Sequence, residues 1–372
     1  MGKFKDAFEN RHQYAKAWKK KTGGKVLGYF EPYVPEELAY AAGVLPVRLI
    51  AEHVPDDISD RYMYGNCRPS RDILVQALNG TYNYVDGTVY AECCQWMRGC
   101  FSSWQVHKPT EFSHYVFVPD FAEGHRAKTL LRSELGFFQK ALEKWTGKKI
   151  TDKALDNAID VYNTNRALLR QIFEMRRVDA PPVTGTEAME IVLSSQVMDK
   201  EEHNKLLTAE LKRLSRKAGV KPKCRLMILG SEVHNTGLEE LIDSLGGTVV
   251  IDEYDNISGY FWNEVVPQED RLMALSLRYL DKPRHPLKDI SYARRPERIA
   301  EMIEDWHVQG VVLLKQKFCH PHGTDFPSIW KILRERQVPF LYIEEDTTIP
   351  TIEVKADIEG FLETIVPTAV PA

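Results

Sequence analysis

The chain has 372 residues, 43% of them apolar and 27% charged, with a formal net charge of −4 and a pI near 6.3. That length exceeds one compact core and predicts two or three domains. The charge balance supplies no polybasic face, which argues against a nucleic-acid partner, and no stretch of about 18 apolar residues is present to span a membrane. The first 21 residues are charged throughout and lack the apolar run of a secretory signal, so the expected location is the cytoplasm.

In chain order, residues 25–30 and 44–50 read as strands. The segment VPEELAYAAG between them reads as a short helix, with Pro35 in its first turn and Gly43 past its end. A helix over 69–79 follows, then strands over 84–90 and 114–118. Apolar strands separated by helices predict a parallel sheet covered on both faces. Residues 126–218 carry long helical periodicity, with Thr151 and Asp152 as capping residues and Pro181 and Pro182 as a break. From residue 224 the strand and helix alternation returns, with strands over 224–230, 248–253, 310–316 and 339–346 and helices over 295–308 and 326–338. The expected fold is α/β: two doubly wound parallel-sheet domains of Rossmann or flavodoxin style joined by a helical layer. The expected boundaries are 1–125, 126–220 and 221–372.

Six cysteines are present, at positions 67, 93, 94, 100, 224 and 319. In a long chain without a secretory signal they do not form a disulfide framework. Buried packing is the ordinary role of such residues. Three of them nevertheless recur where an open α/β sheet binds ligands, beyond strand ends. AECCQWMR follows the strand at 84–90, KFCHPHG follows the strand at 310–316, and Cys67 precedes the helix at 69–79. A cysteine at a helix N-terminus is expected to favour its thiolate, the form that binds metal. Scattered single cysteines lack the close pairs of structural zinc and suit an iron–sulfur cluster better. Spacing alone leaves zinc and core packing open. The segment SEVHNTG after the strand at 224–230 adds Glu232, His234 and Asn235 as residues that could reach a ligand.

The segment GYFEPYVPEELAYAAGVLPVRL (28–49) resembles the opening signature of the 2-hydroxyacyl-CoA dehydratase/benzoyl-CoA reductase family. The resemblance continues through Asn66-Cys67-Arg68-Pro69, Cys94-Gln95-Trp96-Met97-Arg98 and Phe318-Cys319-His320-Pro321-His322-Gly323. It covers nearly the whole chain, in order and spacing. It implies one [4Fe–4S] cluster held by Cys67, Cys94 and Cys319, with Cys93 as the rival of its neighbour and Cys100 and Cys224 as core residues. It further implies an acyl-CoA substrate and a homologous cluster-binding subunit as partner. An ATPase iron–sulfur activator would deliver electrons drawn from ferredoxin.

Within this resemblance Glu37, His320 and His322 are the acid–base candidates. Arg68 and Arg98 would offset the cluster's charge, and Trp96 would line its pocket, with Phe101 and Trp104 as further pocket or core aromatics. Neither a GxxxxGK[ST] loop nor a GxGxxG turn is present, so ATP hydrolysis and a dinucleotide cofactor are not expected. The implied activity is dearomatising reduction of benzoyl-CoA. Dehydration of a 2-hydroxyacyl-CoA, or a non-catalytic electron-relay role, are the alternatives.

Overall fold

The computed structural model describes residues 2–366 apart from Arg284, Leu287, residues 289–294 and Thr348. Helices α1 (Gly2–Glu9) and α2 (Arg11–Thr22) lead into β1 (Val26–Tyr29), α3 (Glu36–Ala41), β2 (Leu45–Arg48), α4 (Asp56–Met63) and α5 (Arg68–Leu78). Next come β3 (Gly87–Ala91), α6 (Gln95–His107) and β4 (Phe112–Val116). Four helices follow: α7 (His125–Thr146), α8 (Asp152–Glu174), α9 (Gly185–Ser195) and α10 (Lys200–Leu214). The remainder runs β5 (Cys224–Gly230), α11 (Gly237–Ser244), β6 (Gly247–Glu253), α12 (Ser258–Phe261), α13 (Arg271–Leu280), α14 (Arg295–Asp305), β7 (Gly310–Gln316), α15 (His320–Glu335), β8 (Phe340–Glu345) and α16 (Ile352–Ile365).

The chain is α/β with two four-stranded, wholly parallel sheets, ordered β2-β1-β3-β4 and β6-β5-β7-β8. Both use the flavodoxin-like order, in which the chain reverses direction across the sheet between the first and third strands. The inner strands β5 and β7 are nearly continuous apolar runs because helices cover both faces, whereas the edge strands β4 and β8 carry polar residues and are partly exposed. On one face of the first sheet Leu27 and Val89 meet α7 and α13 through Leu135, Phe138 and Leu275. On the other face Val26, Phe30 and Tyr90 meet Cys100, Phe101 and Trp104 of α6. The third core surrounds the second sheet, where β5 and β7 pack with α9, α14 and α16. It also takes in Phe4 and Phe8 of α1, which packs on α9.

Thr151 Oγ1 accepts from the Ala154 N–H at 3.2 Å, as its capping role requires. Three expectations shift. β3 starts at Gly87, not residue 84, because Val85 N–H closes a turn on the Tyr82 carbonyl at 3.0 Å. α15 starts at His320, not residue 326, and carries Pro327 inside it. The helical layer holds a further helix, α9, opened by a capping box between Thr184 and Glu187.

Candidate functional site

The loops that leave the two sheets at their switch points face each other. Glu31 follows β1, Cys94 follows β3, Ser231, Glu232 and His234 follow β5, and Gln316 ends β7 just before Cys319. All of these line one cavity, together with Cys67, Pro69, Trp96, Met97 and Pro321. Gly230 lets β5 approach β7 closely: a Cβ there would stand 2.6 Å from the Leu314 carbonyl oxygen.

Each of the three cysteines on this cavity is the N-cap of a helix: Cys67 of α5, Cys94 of α6 and Cys319 of α15. The cap carbonyls accept helical N–H bonds from Arg71, Arg98 and Gly323 at 3.4, 2.9 and 3.1 Å. Three helix N-termini therefore point into one cavity, and their dipoles favour negative charge there. Tyr90 pins the second loop. Its hydroxyl accepts from the N–H groups of Cys93 and Cys94 at 3.2 and 3.0 Å and donates to the Cys94 carbonyl at 2.6 Å. Ser70 Oγ donates to the Cys67 carbonyl at 2.8 Å, and His322 Nδ1 lies 3.2 Å from Cys319 Sγ.

Cys93 and Cys94 part company here. Cys94 lines the cavity, whereas Cys93 packs against the apolar core on the α7 face of the first sheet. Cys100 and Cys224 are fully buried among core residues.

The thiols correct one expectation. Burial pushes Cys67 up to about 11, and it raises Cys94 and Cys319 as well, with the neighbouring thiols adding to the effect at Cys67 and Cys94. Desolvation outweighs the hydrogen bonds that favour the thiolates, and a bound cation would favour their ionisation. Glu31 is also raised, by burial and then by the Glu232 carboxylate opposite. Glu232 pairs with buried Arg48 at 2.7 Å. His234 Nε2 and Gln316 Oε1 are buried and reach no partner among the described residues, while Glu31, raised and holding its proton, hydrogen-bonds Glu232. Polar atoms left unpaired in this way mark a place for a bound group.

Other candidates are spread more widely. Trp96 lines the cavity, and its ring lies 5.9 Å from that of exposed His320. His322 is fully buried; burial, then His285 and Arg295, hold its ring well below the usual imidazole range. Arg68 turns away: its Nε donates to both Asp72 oxygens at 2.8 and 2.9 Å, and its other nitrogens reach Asp56 and the Val54 carbonyl. Arg98 is exposed and lies 3.5 Å from Glu92. Glu37 is fully buried in another network, ion-paired with Arg166 and accepting from Tyr279 at 3.0 Å. Its neighbour Glu36 accepts from Tyr260 at 2.6 Å and lies 3.6 Å from Lys200. These acids clamp α3 to α8, α10 and α13. Phe101 and Trp104 are core residues around Phe30.

Sequence reasoning missed Glu31, masked inside an apolar signature, and Tyr90, whose strand position suggested only packing. Among the described residues, no group of three or more His, Cys, Asp or Glu closes around a single ion. Three thiols ranged around one cavity suit a polynuclear centre, whose metals present separate faces to separate ligands.

Residues 32–365 match the family described as 2-hydroxyglutaryl-CoA dehydratase, D-component. The chain belongs to that family. It is 27% identical over 338 residues to a benzoyl-CoA reductase subunit of Thauera aromatica, covering 88% of this chain and 87% of the relative. It is 25% identical over 369 residues to the (R)-phenyllactyl-CoA dehydratase beta subunit of Clostridium sporogenes, covering 97% of each. The beta subunit of (R)-2-hydroxyglutaryl-CoA dehydratase from Acidaminococcus fermentans is 23% identical over 358 residues, covering 93% and 94%. The family thus includes subunits of both reductases and dehydratases. No helix among the described residues is long and apolar enough to cross a membrane.

Proposed function

We propose that the chain is an iron–sulfur subunit of an ATP-dependent benzoyl-CoA reductase, holding one [4Fe–4S] cluster through Cys67, Cys94 and Cys319. The observation that carries this reading is the meeting of three cysteine-capped helix N-termini at one buried cavity. When bound, the cluster supplies a one-electron donor of low potential, which reduction of an aromatic thioester requires. The chain's own residues do the rest. The three N-termini favour the negative charge of thiolates and sulfides. Trp96, Met97 and Pro321 keep water from the cavity. His322 holds Cys319, and exposed His320 is the candidate to carry protons in from solvent. Glu37 acts by holding α3, and Arg68 by fixing the start of α5, each through its ion pairs; Arg98 offsets charge from outside the cavity.

In this reading residues 1–125 form a unit bearing Cys67 and Cys94, residues 126–220 a helical connector, and residues 221–372 a unit bearing Cys319. The partners are a homologous cluster-binding subunit and an ATPase iron–sulfur activator fed by ferredoxin, all in the cytoplasm. A second reading, one subunit of a 2-hydroxyacyl-CoA dehydratase, is favoured by the phenyllactyl-CoA dehydratase relative, which aligns with 97% of both chains.

The complex, prepared without oxygen, should carry about four irons per chain of this type. Cys67→Ser, Cys94→Ser and Cys319→Ser should each lose iron while Cys93→Ser keeps it. Iron retained in all three of the former would overturn the cluster assignment. Donor oxidation driven by benzoyl-CoA supports the reductase; water loss from a 2-hydroxyacyl-CoA supports the lyase instead.

A further inference from the structure

His234 is 4% exposed and lines the cavity that holds the three cysteines. Its Nδ1 accepts a hydrogen bond from the backbone N–H of Ala51 at 3.1 Å. A ring nitrogen that accepts carries no proton, so the neutral imidazole must hold its proton on Nε2. Burial, then Arg48 and Arg11, hold the ring well below the usual range and keep it neutral. That Nε2–H is buried without a hydrogen-bond acceptor among the described residues, although Glu31 and Glu232 line the same cavity. A donor whose tautomer is set by the backbone and whose N–H faces a cavity is built for a ligand that accepts.

We propose that His234 is a fixed N–H donor to the anionic centre held by Cys67, Cys94 and Cys319, and that it sets the reduction potential of that centre. The inference rests on the iron–sulfur reading above. Hydrogen bonds to cluster sulfurs favour the more negative, reduced state and so raise the potential. His234 is therefore a positioning residue of the second sheet, acting on a centre to which the first sheet contributes two of three thiols.

The test is a redox titration of the anaerobically prepared complex, followed by electron paramagnetic resonance. His234→Leu should keep its iron and shift the midpoint to a more negative value, and His234→Gln, which restores an N–H, should recover part of the shift. Iron retained with an unmoved midpoint overturns the inference alone. A wild-type chain without iron overturns the cluster reading as well. Should His234→Leu lose its iron, pulsed resonance on the wild-type complex with 15N-labelled histidine decides the matter. A nitrogen coupling that persists in His322→Asn and disappears in His234→Gln supports the donor, and its absence from the wild type overturns it.

Discussion

Trp96 Nε1 donates a 2.7 Å hydrogen bond to the carbonyl oxygen of Phe318. The donor lies two residues after Cys94 and the acceptor one residue before Cys319, so a single bond ties together the cysteine loops of the two sheets. Phe318 adopts φ +67°, a conformation that side chains other than glycine rarely hold. The indole therefore supports a loop with little conformational preference of its own. Trp96→Phe keeps the ring and removes the donor. The expected result is a loss of about 1 kcal/mol in chemical denaturation and a faster loss of iron to chelator. An unchanged rate of iron loss would show that the loop holds Cys319 without this bond.

Tyr90→Phe removes a hydroxyl that serves two amides and one carbonyl of the Cys93–Cys94 loop. With those backbone groups half-buried, the expected cost is about 1–3 kcal/mol. Iron content should fall along with stability, because Cys94 loses its fixed position. Equilibrium unfolding and iron determination on the same preparation check both halves of the expectation.

Arg166→Met leaves Glu37 buried without its cation, at an expected cost of about 3–5 kcal/mol. In the wild type, burial alone would raise the Glu37 carboxyl, but Arg166 and Arg278 outweigh it and hold the group below its ordinary 4.5. Its contribution to stability is thus present above the ordinary value and is lost as pH falls through the depressed one. In the variant Arg278 is left as the one nearby cation against burial, so burial is expected to prevail and the sign to reverse: the deficit should grow as pH rises above about 4.5 and shrink in acid. Denaturation midpoints at pH 4 and pH 7 measure this directly.

Glu239, in the first turn of α11, is fully buried, and burial, with Asp252 and Asp243, pushes its carboxyl up to about 8. A raised folded-state value means that stability declines as pH climbs from the ordinary carboxylate range toward 8. Glu239→Gln removes that decline. The variant should match the wild type near pH 4.5 and exceed it by up to about 4 kcal/mol at pH 8, at roughly 1.4 kcal/mol for each tenfold difference in proton affinity between the folded and unfolded chain. Parallel pH curves for the two proteins would contradict the assignment.

Much of this fold was legible because its inner strands are nearly continuous apolar runs, and GVVLLKQ and CRLMILG announce themselves. The start of α15 was not legible. Pro327 usually marks a helix boundary, yet here it sits inside one, which hid the capping position of Cys319. The start of α6 was equally concealed, since QWMRGCFSSWQVH mixes aromatic, small and polar residues without a clean stripe. Glu37 illustrates a different limit. Two adjacent acids at a helix start look like solvent-facing residues, and only the packing of α3 against α8 and α13 reveals that both are buried with partners from distant sequence. Local pattern carries periodicity well, but the partner of a buried charge more than a hundred residues away leaves no local trace.

The placement of Cys319 on the second sheet also sets a timetable. A ribosome releases Cys67 and Cys94 early, and both must wait while more than half of the chain is made before the third thiol emerges. A product that ends before residue 319 cannot complete the set of three thiols. On the proposed iron–sulfur reading, iron retention would therefore report that synthesis has run past residue 319.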